Sequence, residues 1–354
     1  MFKITALTVV GAGWLAAVCL MATASAESIA PPRTFITPHM EVPVAPGQNI
    51  IYCSTFQIAW NDMKTDIVGE DIRLEDAPEM VAFLNQNLSG EADIDGRDYL
   101  ARVGLGSDAF VDGINRDLRA RFGRDAPQID DTYRSSEIIL AYAFLQKSME
   151  FEHPFERFGN AVSFWEGERR STVYGFGINR YSEDQYGALR DQVEIIDYND
   201  SGDFVIRLRS TRPDDEIVLA NVTPENTLLA TYRAVDERVN RSTPDRLANN
   251  DVLMIPLIDL AVHHSYDSLL DRHLLNEGFE EYFVRDAIQD IRFRMDESGV
   301  AVKSEAKFAI EKKGLMHRLL VFDDPYMLYL KTKDGKYPYF MIWVDNAHLM
   351  IPSG

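Results

Sequence analysis

The sequence predicts a single α+β domain, and three observations carry that prediction. Helical patterns fall early in the chain and strand patterns late. A hairpin stands near the middle, where VEIIDY and DFVIRLRS flank the turn residues Asn199-Asp200-Ser201-Gly202. Towards the end, Ile288 to Phe322 alternates apolar and polar residues. Ile291, Phe293 and Met295 alternate with Arg292 and Arg294; past Asp296-Glu297-Ser298-Gly299, the residues Val300, Val302, Ser304, Ala306, Phe308 and Ile310 share one face. A period of two marks half-buried strands, so pattern alone makes this stretch a two-stranded ribbon.

In chain order, residues 1–26 have the make-up of an export signal. Lys3 opens a short positive region, an apolar run follows, and Ala24-Ser25-Ala26 offers a small-residue cleavage site before Glu27. The run comes close to spanning a bilayer, but the small residues before Glu27 favour cleavage over anchoring. The expected product is secreted or periplasmic, with no membrane attachment once the signal is removed. Residues 27–48 carry Pro31, Pro32, Pro38, Pro43 and Pro46 and suggest an extended arm; the folded domain is expected over 49–354. Cleavage would leave Cys53 as the single cysteine, and the apolar Ile50, Ile51 and Tyr52 beside it point to a buried, inert thiol.

Asn49–Tyr52 resembles a strand and Phe56–Met63 the start of a helix. Asp76-Ala77-Pro78-Glu79 is a helix start, and a second helix is predicted from Ser107 to Phe122, stopped by Gly123. Ile138–Leu145 is an apolar run suited to a strand covered on both faces, although a buried helix has the same composition. Strands follow at 162–165 and 172–178. A helix is expected from Thr223-Pro224 to Val239, then an edge or bulged strand at 252–260 interrupted by Pro256, then a helix from Ser265 to Asn276 ending at Gly278. Tyr326–Leu330 and Tyr339–Val344, joined through an Asp334-Gly335 turn, close the chain.

Composition narrows function by exclusion. The chain is 46% hydrophobic and 26% charged, enough apolar residues for a large core. Its 36 Lys and Arg stand against 56 Asp and Glu, a formal net charge of -20 that repels phosphate backbones and argues against nucleic acid as a partner. No enzyme motif has convincing spacing. Gly106-Ser107 lacks the second glycine of a nucleophile elbow, and Gly175-Phe176-Gly177 is too short for a dinucleotide fingerprint. His263, His264, Asp267 and His273 form a histidine cluster without zinc-like spacing, so neither a metal nor a cofactor is expected. A hydrolase would need distant residues to assemble a site that the sequence does not display.

From Glu137 onward the order of elements resembles the serpin family. Ile139–Leu145 followed by Glu150-Phe-Glu-His-Pro-Phe155 is similar to the serpin strand that leads into a Trp-x-x-Pro-Phe segment, with Phe151 in the aromatic role. Leu253-Met-Ile-Pro256, the hinge-like Ile291–Gly299 and Phe322-Asp-Asp-Pro-Tyr326 match further family segments over about the last two thirds of the chain. The resemblance implies several mostly antiparallel sheets with helices packed around them and an exposed reactive-centre loop at about 300–321. It gives Glu297, Gly299 and Val300 the hinge position and puts a scissile bond near Lys313-Gly314, which would suit a trypsin-like protease as partner. In inhibitory members the cut loop inserts as a new strand of the main sheet, and stored strain is the mechanism. Here the hinge limb carries Val300, Val302, Lys303 and Glu305, bulky or charged where rapid insertion wants small residues. Cys53-Ser54-Thr55 also lacks the family's Ser-Pro pair. Two readings follow. In the first, the limb is already a strand paired with Ile288–Met295, and the protein is a non-inhibitory binding or scaffold protein; in the second, it is an atypical inhibitor. The departures favour the first.

Overall fold

Helix, sheet, sheet and helix lie in four layers in the computed structural model, which describes residues 33–178, 186–297 and 318–353. All of these fall within one unit, Pro32–Gly354. The central layer is an eight-stranded sheet ordered Thr34–Thr37, Asn49–Cys53, Phe340–Val344, Tyr326–Thr332, Asp215–Asn221, Asp203–Leu208, Val193–Asp200 and Asp245–Arg246. Its middle strands, FMIWV and YMLYL, are buried on both faces, which explains why they read as unbroken apolar runs. One face packs on helix Leu228–Arg241 through Leu228, Leu229, Tyr232 and Val235. The other faces a four-stranded sheet, Ile258–Ser265, Ala287–Met295, Ser135–Ser148 and Tyr99–Gly106. The outer side of this second sheet is covered by helix Asp108–Phe122, whose Val111, Ile114 and Leu118 meet Leu140, Tyr142 and Phe144. Leu319–Val321, Val252–Pro256, Gly175–Ile178 and Glu156–Arg157 form a third sheet, and Val162–Glu166 with Arg169–Val173 a hairpin.

Local chemistry accounts for most element ends. The Ser107 hydroxyl accepts from the Phe110 amide to start its helix, and Gly123 at φ 86° ends it, as predicted. The expected helix at Asp76 begins later, at Glu79 after Pro78, because Asp76 sits at φ 44° and does not cap. Thr227, not Thr223, caps the helix beginning at Leu228, and the carbonyls of Met40 and Val42 take the amides of Leu229 and Leu228. Of the Pro-rich stretch 27–48, the described part is tied down: Thr34–Thr37 pairs in parallel with Asn49–Tyr52, and Met40 and Val42 are buried.

Three predictions are corrected. Pro256 does not mark an edge. Val252–Pro256 is an inner strand, and the chain bends after Pro256 into a different sheet at Ile258. The helix expected from Ser265 to Asn276 is a single 3₁₀ turn, Asp267–Leu269. The leucine spacing had a helical period, but Leu274 pairs instead with Leu74 and its amide bonds the Tyr282 carbonyl. The two-stranded ribbon built on Ile288–Met295 is also absent, because both edges of that strand are occupied: Ile258–Ser265 lies on one side and Ser135–Ser148 on the other.

Candidate functional site

The fold directs attention to a seam in the second sheet. There Ala287–Arg294 pairs in parallel with Ala141–Ser148, two strands far apart in sequence, and no strand position lies between them. Period-two alternation sends Ala287, Gln289, Ile291, Phe293 and Met295 inward, so Gln289 is a polar residue in an apolar row, 0% exposed. Its amide donates to the Cys53 carbonyl at 3.2 Å and the Thr55 hydroxyl at 2.9 Å, and its oxygen accepts from the Tyr266 hydroxyl at 2.5 Å. These bonds fasten the strand to the start of helix Thr55–Asp62, which packs beneath the sheet. Burial first, then electrostatic coupling to Cys53 and Tyr52, holds the Tyr266 phenol well above its ordinary pKa, so it stays a donor.

The outer face is keyed across three strands. Tyr142 donates to Asp290 Oδ2 at 2.9 Å across the seam, and His263 Nδ1 lies 2.8 Å from Asp290 Oδ1 on the other side. Burial first, then the Asp290 charge, raises the Tyr142 pKa, which keeps its proton on that bond. His263 therefore serves a strand-to-strand contact. Among the described residues, no group of three or more His, Cys, Asp or Glu is placed to hold a metal.

The seam runs up to Met295, and beyond it Asp296 and Glu297 turn towards the aromatic segment. Arg294 Nε donates to Asp296 at 2.7 Å. The Phe155 amide donates to the Glu297 carbonyl at 2.6 Å, and Arg157 lies 3.6 Å from the Glu297 carboxylate, which is 8% exposed. Phe151 and Phe155, drawn from the EFEHPF motif, pack edge-to-face 4.9 Å apart. Of the predicted hinge and bait residues, Glu297 is thus placed at the end of the seam. Gly299, Val300, Lys313 and Gly314 lie outside the described residues, as does the leader 1–26.

Sequence reading missed Gln289, the Tyr142–Asp290–His263 key and a buried ion cluster at Lys147. The signal for Gln289 was present, since it breaks the inward apolar row. Tyr142, Asp290 and His263 come from three separate strands, and no local pattern joins them.

A sheet seam flanked by a hinge-like turn, with an eight-stranded sheet behind it, is the arrangement of a serpin-like fold. The solved structures this chain resembles say the same. A tumour-suppressing serpin matches at TM-score 0.55 and 9% identity, covering 84% of this chain and 92% of that one. Serine protease inhibitor (serpin)-12 of Manduca sexta matches at 0.54 and 11%, covering 87% and 95%. Thyroxine-binding globulin in complex with thyroxine matches at 0.50 and 11%, covering 84% and 92%. No family model matches the sequence, and no curated protein does. These likenesses show the fold, and the neighbours include both a protease inhibitor and a hormone-binding globulin. Among the described residues, no helix is long and apolar enough to cross a membrane.

Proposed function

We propose that this is an exported serpin-fold protein with a binding or scaffold role, not an enzyme, and that it does not trap proteases efficiently. One observation carries the reading: the seam is zipped over eight consecutive register pairs and bridged on its outer face by the Tyr142–Asp290 bond. A strand entering there must break those bonds and bring in Val300, Val302, Lys303 and Glu305, whose bulk and charge resist threading. The test is incubation with trypsin at stoichiometric ratio followed by denaturing electrophoresis. Cleavage without a band of the summed mass is expected; an SDS-resistant complex would overturn the reading. Export is checked by N-terminal sequencing of the periplasmic or medium fraction, with Glu27 as the expected first residue.

A second reading has its own support. Ala287–Met295 ends at the seam and Leu319–Val321 belongs to a different sheet, so the sequence between Glu297 and Arg318 starts beside the seam and returns elsewhere. This topology supports the second reading, on which 300–321 is a bait loop and the protein inhibits a trypsin-like protease cutting near Lys313-Gly314. The complex-forming outcome of the same experiment would establish it.

A further inference from the structure

We propose that Lys147 and Phe293 form a clasp that closes the entrance of the seam by fastening its two strands to consecutive residues of the sheet behind, and that opening of the seam is controlled there. This rests on the reading of the seam as the place where a strand would enter. Lys147 and Phe293 face each other across the seam, next to its last register pair, Ser148 with Arg294. Both point inward, as their spacing from Ala143, Leu145 and Ile291 requires.

Lys147 is wholly buried. Its ammonium lies 2.5 Å from Asp98 Oδ2 and 2.6 Å from Asp215 Oδ2. Arg212 Nη1 donates to both Asp98 oxygens at 2.6 and 2.7 Å, and the Tyr339 hydroxyl donates to Asp215 Oδ1 at 3.3 Å. Two cations therefore meet two carboxylates. The ammonium also sits 5.5 Å from the centre of the Tyr339 ring. On the other side of the seam, Phe293 packs on Phe340 with the rings tilted and their centres 4.7 Å apart. Tyr339 and Phe340 are neighbours in one chain segment of the eight-stranded sheet. One strand is thus held by charge to Tyr339 and Asp215, the other by ring contact to Phe340.

The two arms differ in what opening does to them. If the strands part, Lys147 cannot follow its own strand without leaving Asp215 a buried carboxylate short of its cation, a severe penalty. Sliding Phe293 off Phe340 exposes apolar surface, a milder one. The Lys147 arm is therefore the controlling one. Asp98 adds a link to the neighbouring strand, because its carbonyl accepts the Gln146 amide at 2.9 Å, so Tyr99–Gly106 and Ser135–Ser148 are fastened together.

The test is hydrogen exchange on the full mature protein under native conditions. The variant Lys147→Met with Asp215→Asn removes one cation and one anion together and leaves the Asp98–Arg212 pair intact. Amides of 141–148 and 287–294 are expected to exchange at least tenfold faster than in the parent protein. Val235→Ala, buried against the opposite face of the eight-stranded sheet, controls for general loss of stability and should leave the ratio of seam to Asn49–Cys53 exchange unchanged. A rise in the double variant that is no larger at the seam than at Asn49–Cys53 would overturn the clasp. Should the double variant not fold, Phe293→Leu loosens the milder arm alone; a threefold rise confined to the seam supports the proposal and no rise overturns it. A synthetic peptide of residues 300–310 separates the two ideas. Faster seam exchange without peptide uptake leaves the clasp standing and removes insertion, whereas equal uptake by parent and double variant leaves insertion standing and removes the clasp.

Discussion

Gln289 shows how much one side chain can decide. Replacing it with Leu would leave the Tyr266 hydroxyl without its partner in a dry interior and take one bond from the Cys53 carbonyl, while the Thr55 hydroxyl keeps its contact to Cys53 Sγ. Such an orphan costs about 1–3 kcal/mol, so a loss of that size is expected, read as a lower denaturation midpoint at unchanged slope. Cys53, next to this network, has its thiol pushed up to about 11 by burial, with the Thr55 hydrogen bonds opposing. Alkylation of the Cys53-containing peptide at pH 8 should therefore be negligible in the native protein and complete in denaturant. His39, stacked on Phe83, is held down from 6.5 to about 4 by burial. The folded state refuses a proton that the unfolded chain accepts, so stability falls as pH drops from 6.5 to 4. Asp62 acts in the opposite sense: burial, then the charges of Glu91 and Asp66, raise it to about 6, and stability rises as pH falls below that. Comparing parent with His39→Phe isolates the first effect, expected on the order of 1 kcal/mol after screening; a pH profile of unfolding identical in both proteins would refute it.

Among the elements, the Gly175-Phe176-Gly177 segment is the clearest case of a sequence feature with a packing cause. It belongs to a strand whose neighbour, Val252–Pro256, approaches so closely that a β-carbon at Gly177 would lie 2.0 Å from the Leu253 carbonyl oxygen. Gly177→Ala should force the strands apart and cost more than about 3 kcal/mol, visible as loss of cooperative thermal unfolding. The helix at Asp108–Phe122 was legible because Ser107 and Gly123 carry its start and stop in their own chemistry. The false helix at 265–276 had leucines at the right spacing, with Ser265 and Gly278 where a start and a stop belong; its segment is nevertheless consumed by pairing with 73–75 and 282–284. Helical period, even between cap-type residues, is weak evidence, since partners distant in sequence can take up the same leucines.

For the molecule as a whole, the seam is where stored energy would be released if a strand entered. A serpin-fold protein whose seam stays shut should show the same melting temperature, within about 2 °C, before and after proteolytic cleavage between residues 298 and 317. By contrast, gaining a central strand would add several kcal/mol of sheet pairing and raise it by roughly 4 °C or more. Differential scanning calorimetry of cleaved and intact protein decides between them. The layered construction also explains the composition: the eight-stranded sheet is covered on both faces, which demands the long apolar runs near the C-terminus, while the formal charge of -20 is carried by the remainder.

The sequence by itself determined the α+β class, the central hairpin, the closing strands and both ends of helix Asp108–Phe122, because caps, turns and hydrophobic period act within a few residues. It also ended a strand at Met295, just before Asp296 and Glu297. Tertiary structure alone decided that the strand is flanked on both sides, that Gln289 is a keystone and that Lys147 is buried. The physical reason is range. Asp98, the turn Arg212–Asp215 and Tyr339 come from three distant segments, and a lysine at the end of an apolar strand looks like an exposed terminus until the carboxylates that neutralise it are brought beneath the sheet.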